Sequence, residues 1–329
     1  MISLSQDLRL PALLRRLQAG VIVCALIITG PGLSQDTGQP DSTETDSLYF
    51  PMQYDSVIVT ASRAQVPPGE TGLSIDQVSK TSLRNLGVTG PMAQVLEEVP
   101  GVFVQDRGNL SLGERITIRG VGTRAQFGVR GIMIVVDNIP LTLPDGQAQT
   151  NNIQWNSIQQ IEVLRGPSAS LYGNAAGGVI RLQTGIPKHT GPMALRVRQE
   201  FGSYGQRQTG VSLMGEKNRF SYLAGLSHTA TEGFRDHSES SFTRINLKSR
   251  YGFSDQMSVT GVINYYNAPY LLNPSSLGKQ DARENPTKAR DYIQSQGAGE
   301  QVWQGQAGVT LNYRFGADEY LESTLYGAT

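Results

Sequence analysis

The stretch EVLRGPSASLYGNAAGGVIRLQT, residues 162–184, begins and ends like a β-strand and packs small, turn-forming residues between the two. Gly166, Pro167, Gly173, Gly177 and Gly178 fall within it, with Arg165 ahead of them and Arg181 behind. Glycines so clustered serve phosphate cradles, nucleophile elbows or backbone folded tightly in a crowded space. The surrounding sequence has to choose among these.

With the residues ahead of it, the stretch completes a small α+β unit over 72–184. Asp76 is placed to cap a short helix ending at Gly87, and Pro91 opens a helix over PMAQVLEEV that Pro100 and Gly101 close. The strand candidates VFVQ, RITIR, IMIVVD and IEVLR follow, each bounded by Gly, Pro, Asn or Asp.

After residue 193 the pattern changes to alternation with period two. Ile245, Leu247, Tyr251 and Phe253 oppose Arg244, Asn246, Lys248 and Arg250, and comparable segments lie near 193–202, 206–215, 219–230, 256–267, 302–315 and 318–327. A soluble sandwich also alternates. Here, though, the polar face is charged along long strands and aromatics gather at strand ends, the signature of strands that face lipid outside and water inside. Tight connections (GEKN, FSDQ, GADE) alternate with long ones (231–240 and about 268–301), matching the two rims of an outer-membrane barrel.

At the other end, Arg9, Arg15 and Arg16 precede the apolar run VIVCALII, and small residues follow it. This predicts a secretory signal over residues 1–34, too short to span a bilayer. Its Cys24 is the chain's one cysteine, so the mature protein is expected to have no disulfide and no thiolate metal site. Residues 35–54 are acidic and polar and read as a linker. The run DSVIVTA (Asp55, Ser56, Val57, Ile58, Val59, Thr60, Ala61) then stands as a β-branched strand with no evident core to bury it.

With 28 basic and 28 acidic side chains, no net field favours nucleic acid. Gly120 to Ala125 (GVGTRA) matches a dinucleotide pattern, but Gly128 and Gly131 interrupt before a helix could form. His189, His228 and His237 lack metal-ligand spacing, and Ser168 and Ser170 lack a nucleophile elbow. No enzyme, metal or cofactor is predicted.

In this order the parts resemble the TonB-dependent outer-membrane receptors. DSVIVTA resembles the TonB box, and VLEEVPGVFVQ (95–105), ITIRGVG (116–122), VVDNIPL (135–141) and residues 161–184 resemble successive blocks of the plug domain. The resemblance implies an α+β plug over 62–188 and antiparallel transmembrane barrel strands over 189–329. About seven of roughly 22 strands would be present, so a truncated, N-terminal part of a longer receptor is expected. It implies that Arg119 and Arg165 pair with barrel glutamates outside this stretch, and that the glycines press plug turns against barrel strands. It makes Arg124, Gln126, Arg130, Gln147 and Gln149 the ligand contacts at the plug apex, suited to the oxygens of a ferric chelate. PDGQAQ resembles the branch that includes ferric dicitrate receptors. Implied partners are TonB with its inner-membrane complex, the ferric chelate and outer-membrane lipid. Vitamin B12 or another scarce nutrient is the alternative cargo. A secreted β-sandwich adhesin or enzyme is the reading from another class.

Overall fold

The computed structural model describes residues 72–78, 83, 91–126, 128–166, 172–185, 191–316 and 319–329. Among these the chain builds a small mixed sheet with its helix, then a broad antiparallel sheet. In chain order the first part holds β1 (Ser74–Gln77), α1 (Pro91–Leu96), β2 (Val102–Gln105), β3 (Arg115–Ile118), β4 (Val129–Arg130), β5 (Ile132–Val136), β6 (Ile139–Pro140), β7 (Gln147–Ala148), a 3-10 turn (Trp155–Ser157), β8 (Ile158–Arg165) and β9 (Gly178–Thr184). The sheet order is β1-β8-β9-β5-β6, with β5 and β9 parallel.

Why this sheet forms follows from its apolar runs. Along β5 and β9 nearly every residue is buried, as expected of strands covered on both faces. Ile132, Ile134, Ile161, Val163, Ile180 and Leu182 turn to one side, where Met92, Val95 and Leu96 of α1 cover them. Val135, Leu164 and Val179 turn to the other side, against Ala175. Asp76 lies inside β1, opposite Val163, and not at a helix cap as the sequence predicted. Its carboxylate is taken by Arg165 at 2.6 Å.

The glycine-rich stretch is the connection of an antiparallel pair, β8 to β9. The Gly166 amide donates to the Gly177 carbonyl, Gly177 to Gly131, and Gly178 to Ala175, so these amides are spent on backbone and cradle no phosphate. Gly178 has φ +139°, and a Cβ there would run into the carbonyl of Leu164. The crowding that Gly177 and Gly178 relieve thus comes from Val121, Ile132 and Leu164 of the same unit, which corrects the expectation that they face barrel strands.

The second sheet is a meander of seven antiparallel strands, β10 to β16 in spatial order. They span Ala194–Phe201, Arg207–Lys217, Phe220–Thr231, Ser240–Gly252, Met257–Leu272, Gly299–Arg314 and Tyr320–Ala328. β14 and β15 run longer than their alternation predicted, 16 residues each. The sequence ended β14 before Pro269, but the register shifts between Ala268 and Leu271. Proline is tolerated at such an irregularity because no ladder bond is demanded of it. Short connections, 218–219, 253–256 and 315–319, lie at one end. The five-residue 202–206 and the longer 232–239 and 273–298 lie at the other, the last holding α2 (Lys279–Glu284) and α3 (Asp291–Gln296).

The polarity of this sheet is inverted. Leu226, Leu247, Ile263, Val309 and Leu325 are exposed, while Gln208, Ser227, Arg244, Asn246, Gln306 and Thr310 are buried. Aromatic pairs Tyr251–Phe253 and Tyr313–Phe315, with ring centroids 4.9 and 4.7 Å apart, stand at the short-turn end. Gly178→Ala is expected to destabilise the first unit by about 1–3 kcal/mol through strain at an unfavourable φ against a fixed carbonyl. Gly120→Ala, also at positive φ but with nothing within 4 Å of its added Cβ, should cost less. Urea unfolding of the two variants, followed by Trp155 fluorescence, checks the order.

Candidate functional site

The apex of the first unit is built where β3, β4 and β7 end. β4 and β7 form a two-residue pairing that sets Arg130 opposite Gln147 and Val129 opposite Ala148. The turn between β6 and β7 closes with the Leu143 amide on the Gln147 carbonyl at 2.8 Å. Of the five predicted ligand contacts, the structure therefore brings Arg130 and Gln147 side by side and leaves Arg124, Gln126, Arg130 and Gln149 exposed. Gln147 is less free than expected. Its backbone amide and Nε2 both donate to Asp145, at 3.0 and 2.8 Å. Arg124 and Gln126 sit in the segment between β3 and β4. GVGTRA opens no helix there, only a turn in which Ile118 and Val121 bridge.

Arg119 and Arg165 lie near one another. Arg119 has φ +48° and donates to the Ser74 hydroxyl at 3.3 Å. Arg165 reaches Asp76 and, at 2.7 Å, the Pro100 carbonyl. Their observed partners belong to the first unit. The predicted coupling strand, residues 55–61, lies outside the described residues, as do the signal and linker. Among the described residues no group of His, Cys, Asp and Glu is placed to hold a metal ion.

Sequence reasoning missed how the first unit is seated on the sheet. Asp137 and Asn138 have φ of +49° and +68° and form the two-residue turn from β5 to β6, a conformation in which Asp and Asn are favoured. That turn aims the Asp137 carboxylate at Lys248 on β13, 2.7 Å away. The same carboxylate accepts from the Thr184 amide and hydroxyl, at 3.0 and 2.5 Å, and Lys248 also donates to the Thr184 carbonyl at 2.8 Å. Four residues earlier on the same face of β13, Arg244 Nε donates to the Asn151 carbonyl at 2.5 Å, its guanidinium 4.4 Å from the Phe242 ring. Further contacts come from Ser227 to Gln154 and from Asn152 to Gln304, at 2.8 and 2.6 Å. A sheet glycine, Gly225, lets this happen: a Cβ there would stand 2.6 Å from the Ser157 hydroxyl. The available signal was the even spacing of Arg244 and Lys248, which puts both on the polar face of one strand.

With this geometry in place, comparison with known proteins is informative. Residues 67–179 match the family described as TonB-dependent Receptor Plug Domain. The vitamin B12 transporter BtuB of Vibrio vulnificus (strain YJ016) is 33% identical over 149 residues, covering 42% of this chain and 23% of its own length. The pesticin receptor of Yersinia pestis is 33% identical over 138 residues, 41% of this chain and 19% of its own. The matched stretch thus covers about a fifth of the length of these relatives. Among solved structures, the ferric citrate transporter FecA in the unliganded form superposes with TM-score 0.61 at 19% identity, over 79% of this chain and 40% of that one. The ferric yersiniabactin uptake receptor FyuA of Yersinia pestis gives 0.56 at 21%, over 81% and 42%. These likenesses establish the fold: a plug followed by strands of a partial barrel.

Lys248→Ala strands the Asp137 carboxylate, whose side chain is 3% exposed. Breaking a buried pair in this way costs on the order of 3–5 kcal/mol. Faster hydrogen exchange at residues 136–140 and 182–185 is the expected result, with Leu247→Ala, on the opposite face, leaving those amides protected.

Proposed function

We propose that this chain, whose residues 67–179 match the TonB-dependent Receptor Plug Domain family, works as an outer-membrane receptor that imports a ferric chelate by energy-coupled rearrangement of the plug. The observation that carries the reading is the inverted sheet. Its exposed face is apolar and its buried face is polar, charged and bonded to the plug, which suits a wall between lipid and a plugged lumen. In this reading residues 1–34 direct export, 35–54 are a periplasmic linker, 55–61 recruit TonB by strand addition, 62–188 are the plug and 189–329 contribute barrel strands. Arg119 and Arg165 then serve, beyond their contacts within the plug, to meet carboxylates of the barrel.

The cargo follows from donor chemistry. Arg124, Gln126, Arg130 and Gln149 present guanidinium and amide N–H groups at the exposed apex, and such groups suit the carboxylate or hydroxamate oxygens around ferric iron. A corrinoid is the second reading, supported by the 33% identity of the plug region to a vitamin B12 transporter. Growth of a deletion strain under iron limitation, with single ferric chelates supplied, decides between them. Rescue by the complete gene with a ferric chelate supports the first reading, and rescue confined to vitamin B12-dependent growth supports the second.

Two variants test the remaining parts. Leu247→Arg places a charge on the exposed apolar face, at a cost of about 2–4 kcal/mol in a bilayer midplane. The fraction of the complete protein folded into lipid vesicles should fall, and an unchanged fraction would refute the assignment of faces. Val59→Pro removes one main-chain donor and fixes φ within residues 55–61. Binding of the chelate should survive while uptake is lost. Uptake equal to the parent's would show that this segment is not the coupling strand.

A further inference from the structure

Glu114 is the carboxylate of the plug that the proposed function leaves unused. It sits just ahead of β3 and is 7% exposed. One oxygen accepts from the Ala93 amide at 3.1 Å, and the other accepts from the Thr150 hydroxyl at 2.9 Å. Ala93 lies in the first turn of α1, where backbone amides have no partner within the helix. Thr150 follows Gln149 directly and precedes Asn151, whose carbonyl is held by Arg244 of the wall. One side chain thereby joins three segments distant in sequence: α1, the strand leading to the apex, and the apex loop at its fixed end.

We infer that Glu114 is a positioning residue, a proton-controlled clasp that holds α1 to the loop bearing Gln147 and Gln149 when neutral and loosens that junction when ionised. The importance of this loop for cargo rests on the receptor reading above, whereas the clasp itself rests on the burial of Glu114 between α1 and the loop, a cost to the ionised form that the accepted bonds from Ala93 and Thr150 offset only in part. A ligand drawing on Gln149 would displace Thr150 and change the proton occupancy of Glu114. By reciprocity, α1 would then alter the apex.

Burial is the main influence on this carboxyl and pushes its pKa up from 4.5 to about 7. The bonds from Ala93 and Thr150 act against burial, Asp106 in the loop after β2 adds to it, and Arg244 on β13 opposes it. A value raised in the folded state means that the closed junction gains most at low pH, below about 4.5. That gain is lost as pH rises through about 7. If opening of α1 hydrates the carboxylate, the opening constant rises about tenfold between pH 6 and 8.

The test is hydrogen exchange on the complete gene product in detergent, with no ligand, as protection factors corrected for the intrinsic pH dependence of exchange. Protection of residues 91–96 should fall about tenfold from pH 6 to 8 in the parent, while β12 stays flat. Glu114→Gln should abolish the slope. Thr150→Val, which removes one bond favouring the ionised form, should keep the slope and move its midpoint to higher pH. A flat parent profile, the same slope in Glu114→Gln, or an unmoved midpoint in Thr150→Val would each overturn the clasp. Because no cargo enters the experiment, its failure leaves the uptake tests of the receptor reading untouched.

Discussion

A sheet that buries its polar face sets the terms for everything else in this molecule. Each inward Ser, Thr, Asn, Gln, Arg and Lys loses water on assembly and has to find a hydrogen-bond partner or destabilise the fold. A second apolar layer could not supply those partners. The plug can, because it offers carbonyls, amides and a carboxylate at matched positions. Lys248 finds Asp137 and the Thr184 carbonyl, Arg244 finds the Asn151 carbonyl, and Ser227 finds Gln154. Plug and wall are therefore complementary in hydrogen bonding more than in shape.

The plug differs from its wall in what holds it together. Its sheet is apolar on both faces, with α1 closing one of them, so its interior is that of an ordinary small α+β unit. Polar chemistry is moved to its turns. Asp137 and Asn138 occupy the left-handed region, and the tight turn they make projects the carboxylate out to the wall. The same device, a strained turn that presents one polar group, recurs at Arg119.

β13 carries two of the plug's charged attachments, Lys248 near one end and Arg244 further along. They hold different parts of the plug: the β5–β6 turn with the end of β9, and the segment after the apex loop. Between them the exposed apex is bounded by fixed points while its tips remain in solvent. Glu114 connects the second of these fixed points to α1. This gives a continuous hydrogen-bonded route across the plug without any single rigid rod.

Much of this was legible in the residues. Period-two alternation located all seven strands of the second sheet, and it assigned Leu247 and Lys248 to opposite faces, because side chains on a strand must alternate. Bounded apolar runs located β2, β3, β5 and β8. The glycine-rich connection was legible as tight backbone and not as a phosphate cradle. Its neighbours were not legible, since which backbone approaches Gly178 depends on how β8 and β9 pair. Likewise Asp76 resembles a helix cap in local sequence, and only pairing with β8 makes it a strand residue and the partner of Arg165. The reach of β14 past Pro269 depended on a register shift that no propensity encodes. The sequence by itself determined the elements, their order and the two faces of the wall, all of which follow from local periodicity. Tertiary structure alone decided the partners, because Asp137–Lys248 and Glu114–Thr150 join residues 111 and 36 positions apart, and such contacts exist only once the plug has docked and the apex has closed.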